Sequence, residues 1–205
     1  VGAPYGSSGS PFRLRQGVIE RLLQAQAVLK QTQPGWRLAI FDAWRPLAVQ
    51  RFMVEYTIAA ECKARALDRD QPSPELDTVV AEVGRFWAPP SEDPATPPPH
   101  STGAAVDLTL VRADGSEVNM GSPIDAIGAV SEPDHYLGVA EGLPDGDERR
   151  QALSWHGHRQ LLAQAMATAG FAQHPNEWWH FSWGDQLWAW RSGHECACYG
   201  RWLET

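Results

Sequence analysis

Apolar residues recur at the three- and four-residue spacing of a helix in four segments of the chain. In the first segment, the residues that repeat at this spacing are Val18, Leu22, Ala25 and Leu29. Such a spacing places apolar side chains on one helical face, which can pack against a core. The four predicted helices cover residues 12–31, 46–69, 74–86 and 155–169. Pro46 fits the first turn of the second helix, and Gly170 fits the end of the fourth.

Short apolar runs with strand character lie between and after the predicted helices. These runs occupy residues 36–42, residues 105–111 and two short pieces within 171–183. Residues 121–150 are rich in Gly, Pro and Asp, which predicts a long irregular loop of the kind that often carries function. Helices followed by strands, with one more helix between the strands, predict an α+β fold. We expect a single domain over residues 1–205, with a small, mostly antiparallel sheet flanked by helices.

The composition is that of an acidic globular protein. Hydrophobic residues make up 43% of the 205 residues, which is enough to form a core without disulfide bonds. The formal net charge of −8 argues against nucleic acid and against an anionic membrane surface as partners. No apolar run approaches the roughly 20 residues that a membrane span needs.

The cysteines and the first residue bear on the compartment. Three cysteines are too few, and odd in number, to form a disulfide framework, and they fit a reducing compartment. The predicted location is therefore the cytoplasm. The periplasm stays open as an alternative, because a chain that begins with Val1 is compatible with removal of a signal peptide.

Two of the seven histidines are each accompanied by a carboxylate. Asp107 follows His100 by seven residues, and Glu177 precedes His180 by three residues in the sequence EWWH. A catalytic zinc ion is held by three protein ligands, such as two histidines and one aspartate, and keeps a position open for water. A further carboxylate that does not bind the metal must then accept the proton of that water. The two clusters supply this set of groups.

The local sequence allows these groups to converge. Three consecutive prolines precede His100 and exclude it from a helix interior, and Gly103 lets the chain turn sharply towards Asp107. Glu177 and His180 would face opposite sides of a regular strand, so a turn or a bulge must separate them.

Arg45, in the sequence FDAWRP, has two possible roles. If Pro46 begins a helix, Arg45 lies at the positive end of that helix, where a cation is unfavourable without a nearby anion. The anion could be Asp42, which would make Arg45 a structural salt-bridge partner. Alternatively, the guanidinium could face the oxyanion of a tetrahedral intermediate.

The segments HSTGAAVD (100–107) and EWWH (177–180) together resemble the signature of the zinc D-Ala-D-Ala dipeptidases of the vancomycin-resistance type. These enzymes belong to the zinc D-alanyl-D-alanine peptidases, which are related in fold to the Hedgehog N-terminal domain. Their signature has the form S-x-H-x-x-G-x-A-x-D, followed some seventy residues later by E-x-W-H. The segments FDAWRP, NMGSPID and HRQLLAQAMATAGF also resemble family segments, so the similarity extends over most of the chain.

The resemblance implies a metal site and a reaction. It implies one zinc ion per chain, with the ligands His100, Asp107 and His180. Glu177 is implied to be the general base that activates water and then protonates the leaving amine. Arg45 is implied to stabilise the oxyanion.

The resemblance also implies how a small dipeptide substrate is bound. Asp125, at the end of NMGSPID, matches an aspartate that holds the free amino group of the dipeptide. Pro98 stands where the signature has a serine, so that hydroxyl is missing here. Ser101 is the candidate to replace it in substrate binding, with Thr102 as the alternative.

Several functions fit these residues. The first is a dipeptidase acting on D-Ala-D-Ala or close dipeptides, either in peptidoglycan turnover or in glycopeptide resistance. The second is a D,D-carboxypeptidase or peptidoglycan endopeptidase with a more open cleft, which the Asp125 match disfavours. The third is a zinc-stabilised binding domain, which would need neither Glu177 nor Arg45. The sequence HECAC (194–198) is predicted to be a tail with ordinary thiols, with a second metal site as the alternative.

Overall fold

The computed structural model describes Tyr5 and residues 10–203. The helices within these residues are α1 (Gln16–Thr32), α2 (Leu47–Ala64), α3 (Pro74–Val83), α4 (His135–Glu141), α5 (Asp147–Thr168) and α6 (Gln186–Ser192). The strands are β1 (Arg37–Asp42), β2 (Ala105–Val111), β3 (Ala172–Gln173) and β4 (His180–Ser182). The predicted α+β fold is confirmed. No helix in the described part of the chain is long and apolar enough to cross a membrane.

The four strands form one antiparallel sheet in the order β1-β2-β4-β3. The register pairs Asp107 of β2 with His180 of β4. On the other side of β2, the pairing with β1 is irregular between Ile40 and Asp42, so that Asp42 also lies opposite Asp107. Irregular pairing of this kind bends a strand and redirects its side chains. The centre of the sheet therefore collects polar groups from three strands.

Strand β2 divides the core from the polar face of the sheet. Its alternate residues Val106, Leu108 and Leu110 are fully buried in the main hydrophobic cluster. The same cluster takes apolar side chains from α1 and α5, and these are Val18, Leu22, Ala25, Leu29, Leu162, Ala165 and Met166. Because successive strand residues face opposite sides, Asp107 lies on the face away from this core.

Helices α2 and α3 form a smaller cluster of their own. Its buried residues are Cys62, Val79, Val83 and Trp87, with Phe86 packed against them. Ser73 caps α3 by accepting a hydrogen bond from the Leu76 N–H (3.1 Å), and Pro74 occupies the first position of this helix. This unit places Phe86 and Trp87 against the polar face of the sheet.

The predicted end of α2 was wrong by several residues. The helix ends at Ala64 rather than near Arg69, because a Schellman motif follows it. The Ala66 N–H donates to the Lys63 carbonyl and the Leu67 N–H donates to the Cys62 carbonyl, with Ala66 at a φ of +53°. The charged residues beyond Ala64 continue the composition of a helix and conceal this stop.

The predicted loop over residues 121–150 was also wrong in part. It contains a 3-10 turn at Ala129–Ser131 and helix α4, and α5 begins at Asp147 rather than at Trp155. The first turns of α5 are polar and lack an apolar period, but Asp147 and Glu148 favour a helix N-terminus. Tertiary contacts complete the segment, since α4 packs on α5 through Tyr136, Ala140 and Ala152.

Candidate metal centre

Three buried side chains converge on the polar face of the sheet. His100 Nε2 lies 3.2 Å from Asp107 Oδ2, and His180 Nδ1 lies 3.1 Å from Asp107 Oδ1. The two imidazole nitrogens are 3.1 Å apart. Within the described residues this is the one cluster of metal-binding groups, and its three ligand atoms lie within 4.8 Å of one another. The HECAC segment forms no such cluster there.

The backbone fixes these positions. Antiparallel pairing sets His180 beside Asp107. His100 lies in a 3-10 turn over Pro99–Thr102, which Gly103 ends in the left-handed region with a φ of +70°. A Cβ at Gly103 would meet Trp202 Cε3 at 2.7 Å, so this position needs glycine for its space as well as for its conformation.

The tautomer of His100 follows from its second nitrogen. His100 Nδ1 is hydrogen-bonded to the Ala43 carbonyl. A carbonyl oxygen only accepts, so Nδ1 carries the proton and donates it. The lone pair of Nε2 then faces Asp107. A backbone partner on the outer nitrogen is the usual way in which metal-binding histidines are oriented.

His180 is oriented by a chain of two hydrogen bonds. The Ser182 hydroxyl donates to Asp185 Oδ2 (2.7 Å), and Ser182 Oγ lies 3.4 Å from His180 Nε2. Because the hydroxyl proton is directed to Asp185, the serine oxygen accepts the Nε2 proton of His180. His180 Nδ1 is left with a lone pair that faces the cluster. Burial lowers the pKa of His180, which favours this neutral ring.

The cluster fits a divalent cation. Asp107 Oδ1 is buried and has no hydrogen-bond partner in the described part of the chain. The Arg45 guanidinium donates to Asp107 Oδ2 (2.7 Å), and its positive charge favours the ionised form of this carboxylate. Two imidazole lone pairs and an ionised carboxylate oxygen therefore face one point. Two nitrogens and one oxygen from three protein ligands match a catalytic zinc site.

Arg45 connects the cluster to β1. Its Nε donates to Asp42 Oδ2 (2.5 Å), and its Nη2 donates to Asp107 Oδ2 (2.7 Å). The two carboxylates outweigh the effect of burial and raise the pKa of Arg45, so it is always charged. The guanidinium lies over the Trp87 ring, 5.0 Å from its centroid. The predicted salt bridge between Arg45 and Asp42 is therefore present. It holds the guanidinium on the wall of the pocket, so the structural and the functional role are compatible.

Glu177 lies next to the cluster without belonging to it. Its Oε2 is 3.5 Å from His180 Nδ1 and 3.9 Å from His174 Nδ1. Glu177 and His180 do not share a regular strand, because Trp178 and Trp179 form a bend and β4 begins only at His180. Burial, and then the negative charge of Asp107, raise the pKa of Glu177 well above its usual value. A buried carboxylate with a raised pKa, beside a metal site, has the properties of a general base.

Asp125 lies on the same pocket as these groups. The pocket has an empty volume of about 470 Å³, and its wall includes Arg45, Asp107, Asp125 and Glu177. Asp125 has a φ of +63°, a left-handed conformation that is uncommon outside glycine. Burial, and then the charge of Asp107, raise its pKa to about 6. The structure therefore brings the predicted amine-binding carboxylate to the metal cluster from a distant segment.

Comparison with known proteins agrees with this geometry. A family model described as D-Ala-D-Ala dipeptidase matches residues 6–197. The chain belongs to this family. A D-alanyl-D-alanine dipeptidase of Synechocystis sp. is 44% identical, and the match covers 98% of this chain and 83% of the relative. The predicted family is thus confirmed.

More distant members of the family are also similar. A D-alanyl-D-alanine dipeptidase of Enterococcus faecium is 29% identical over 80% of this chain and 69% of its own length. Among solved structures, VanYB in complex with D-alanine-D-alanine has a TM-score of 0.52. That match covers 96% of this chain and 85% of VanYB at 16% identity, so it shows a common fold and nothing finer.

Ser101 and Thr102, the candidates to replace the serine of the family signature, are both hydrogen-bonded to backbone carbonyls. The Ser101 hydroxyl donates to the Pro98 carbonyl (2.7 Å), and the side chain is not part of the wall of the metal pocket in the described residues. Thr102 is occupied in the same way by the Pro99 carbonyl (2.6 Å). The local turn thus engages both hydroxyls with backbone carbonyls, and a contact of either one with substrate stays a prediction.

His174 and the apolar wall were not singled out from the sequence. His174 lines the pocket, and burial, followed by the proximity of His180, lowers its pKa to about 3. The Asn176 N–H donates to His174 Nδ1 (3.3 Å), so the proton of this neutral ring is on Nε2. The apolar part of the wall includes Phe86, Trp87, Ile127 and Trp179. In the sequence, the one indication that His174 lies near the site was its position six residues before His180.

Proposed function

We propose that this protein is a zinc-dependent dipeptidase that hydrolyses D-Ala-D-Ala or closely related small dipeptides. The observation that carries the proposal is the buried cluster of His100, Asp107 and His180, which lies on a pocket that Asp125 also lines. The dipeptidases of the family supply the substrate class.

The three cluster residues would hold one zinc ion per chain. When bound, the metal supplies a Lewis acid that polarises the scissile carbonyl and lowers the pKa of a water molecule. The contribution of this chain is to hold the three ligands rigidly through the Ala43 carbonyl, Ser182 and Arg45. Such preorganisation lets the site act without rearranging during the reaction.

Glu177 would move the proton. Its carboxylate accepts a proton from the attacking water, whose oxygen forms a bond with the carbonyl carbon. It then donates this proton to the nitrogen of the leaving D-alanine as the peptide C–N bond breaks. The raised pKa of Glu177 makes the ionised carboxylate a stronger base, and a cation bound at the cluster would favour the ionised form that the first step requires.

Arg45 would stabilise the oxyanion. Two of its nitrogens are bound to Asp42 and Asp107, and in the described residues its Nη1 has no protein acceptor. The two bound carboxylates fix the plane of the guanidinium, so the third nitrogen is directed before the substrate arrives. A fixed cation beside the developing negative charge lowers the barrier without reorganisation.

Asp125 would bind the free amino group of the substrate. Its ionised form, which dominates above its pKa of about 6, offers an anion at a fixed position relative to the zinc ligands. A dipeptide with a free ammonium satisfies this carboxylate. A longer peptide places an uncharged amide there instead, and the buried charge stays unpaired.

The experiment measures amino-acid release from D-Ala-D-Ala, from L-Ala-L-Ala and from a longer peptide ending in D-Ala-D-Ala. Each substrate is tested with zinc-loaded protein and after chelation. Metal-dependent cleavage of the D,D-dipeptide alone would support the proposal. Cleavage of the longer peptide would favour a D,D-carboxypeptidase or endopeptidase, and stoichiometric zinc without any cleavage would favour a binding domain.

We further propose that residues 1–205 form one catalytic domain and that it acts in the cytoplasm. All three cysteines are free thiols in the structure, which suits a reducing compartment. Fractionation of the native host, with detection of the protein in the soluble and periplasmic fractions, tests this location. Recovery from the periplasm would contradict it.

A further inference from the structure

Arg159 in α5 is a buried cation that the proposed mechanism does not use. Only 1% of the residue is exposed, and within the described part of the chain no carboxylate lies within salt-bridge distance of its guanidinium. Burial lowers its pKa to about 10. A buried charge without a counter-ion is unfavourable unless hydrogen bonds replace its hydration. The cost of burying the Arg159 charge must therefore be offset by the hydrogen bonds that its guanidinium donates.

All of its hydrogen bonds go to one segment of the chain, residues 120–132, which we name the Asp125 segment. Nε donates to the Met120 carbonyl (2.8 Å), and Nη1 donates to the Glu132 carbonyl (2.8 Å). Nη2 donates to the Val130 carbonyl (2.8 Å) and to Ser122 Oγ (3.1 Å). The guanidinium thus holds both ends of the segment together.

Two aromatic rings complete the surroundings of Arg159. Its guanidinium carbon is 4.7 Å from the Tyr136 ring centroid and 5.4 Å from that of Trp178. The Trp178 indole N–H donates to Ser122 Oγ (3.0 Å), and the Trp178 backbone N–H donates to the Ser131 carbonyl (2.9 Å). Because Trp178 directly follows Glu177, the same contacts connect the Asp125 segment to the residue proposed as the general base.

The centre of the segment depends on these end contacts. Asp125 has a φ of +63°, a left-handed conformation that costs energy for residues with a Cβ, although aspartate tolerates it better than most of them. The Ser131 hydroxyl donates to the Ala126 carbonyl, next to Asp125. The anchored positions Met120, Ser122 and Val130–Glu132 thus flank Asp125 on both sides and restrict how its segment can cross the pocket.

We infer that Arg159 is a positioning residue for substrate recognition. By holding the ends of the Asp125 segment, it sets the distance between the Asp125 carboxylate and the metal ligands, and with it the preference for a substrate with a free amino group. The inference rests on the proposed role of Asp125 in binding that group. A purely stabilising residue at this place would not need a buried charge, whereas a residue that holds several backbone carbonyls in place does.

The test is a double-mutant cycle with Arg159→Met and Asp125→Asn, measured on zinc-loaded protein with D-Ala-D-Ala. Arg159→Met keeps an unbranched apolar side chain up to the position of Nε and removes all the donors. We expect kcat/KM to fall about 10- to 100-fold, mainly through KM, because a displaced binding group loses its alignment. If Arg159 acts through Asp125, adding Asp125→Asn to Arg159→Met should lower kcat/KM by less than about twofold more.

Arg21→Met is the matched control. Arg21 also donates to a backbone carbonyl, that of Ala169 (2.9 Å), and lies 4.0 Å from the Trp183 ring centroid, outside the Asp125 segment. Its loss should lower the melting temperature without changing KM, and it should combine multiplicatively with Asp125→Asn. If Arg159→Met does not fold, Ser122→Ala replaces it in the cycle, because this variant keeps the cation and removes one anchor.

The outcomes distinguish the positioning role of Arg159 from the proposed function of the protein. Full multiplicativity of the Arg159 and Asp125 effects, or a loss confined to kcat, would overturn the inference and leave the proposed function intact. An Asp125→Asn variant with unchanged kcat/KM would remove the amine-binding role and the inference with it. Absence of cleavage by the unmodified, zinc-loaded protein would refute the proposed function itself.

Discussion

Replacement of Asp185 by asparagine should weaken zinc binding although Asp185 touches neither the metal cluster nor the pocket. Asp185 Oδ1 accepts a hydrogen bond from the Trp188 N–H (2.9 Å) and caps α6, while Oδ2 accepts the Ser182 hydroxyl proton (2.7 Å). In Asp185→Asn, the amide oxygen must stay on the Trp188 N–H to keep the cap. The amide NH₂ then points at Ser182.

This substitution reverses the chain of hydrogen bonds. The Ser182 oxygen accepts from the new amide, so its hydroxyl proton is directed towards His180 Nε2. That nitrogen must then accept, and the ring proton moves to Nδ1, the nitrogen that faces Asp107. A protonated nitrogen does not bind a metal. Loss of an outer hydrogen-bond partner typically weakens metal binding about 10- to 100-fold, and we expect the upper part of this range, about 2.7 kcal/mol.

The assay is a competition for zinc against a fluorescent chelator at fixed pH, with Ser182→Ala as the comparison. That variant removes the oxygen without imposing the wrong tautomer, so its zinc affinity should lie between those of the unmodified protein and Asp185→Asn. Asparagine is as good a helix cap as aspartate, so the metal-free melting temperature of Asp185→Asn should be unchanged. Unchanged zinc affinity in Asp185→Asn would refute the assigned tautomer of His180.

Other substitutions test the remaining parts of the site. Glu177→Gln should lower kcat about 10²- to 10⁴-fold with zinc retained, and loss of zinc would make Glu177 a ligand. Arg45→Lys should lower kcat about 100-fold and change KM less, and an effect on KM alone would indicate ground-state binding. Gly121→Ala should destabilise the fold by roughly 1–3 kcal/mol in urea unfolding, since its Cβ would meet Tyr136 Cε2 at 2.2 Å; unchanged stability would mean that the ring moves aside freely.

The cluster of His100, Asp107 and His180 could be predicted from the sequence because two short segments that resemble the family signature contain all three residues. A rigid turn holds His100, and a single pairing register brings His180 to Asp107. The segments 100–107 and 177–180, which contain these residues, also contain most of the 3-10 turn and the beginnings of the two paired strands that position them. The spacing of Glu177 and His180 also led us to expect a turn or a bulge instead of a regular strand, and the structure has a bend at Trp178 and Trp179.

The surroundings of the cluster could not be predicted in this way. Arg159 occupies a helix whose charged residues indicate a solvent-facing side, and its acceptors are mostly backbone carbonyls of a segment more than 25 residues away. Every residue has a backbone carbonyl, so the sequence does not indicate which carbonyls accept hydrogen bonds from Arg159. The same holds for the Ser101 hydroxyl, since a 3-10 turn directs it to the Pro98 carbonyl.

The balance of charge around the pocket connects the metal to the substrate. Among the described residues on or next to the pocket, the carboxylates Asp42, Asp107, Asp125 and Glu177 outnumber the guanidinium of Arg45. Asp107 contributes to the raised pKa of both Asp125 and Glu177, so each buried carboxylate disfavours the ionisation of the next. A divalent cation on the cluster offsets part of this excess, and an ammonium at Asp125 offsets more. A ligand that carries a positive end at Asp125 and a peptide carbonyl near the cluster therefore matches the pocket, and a dipeptide with a free amino group carries both.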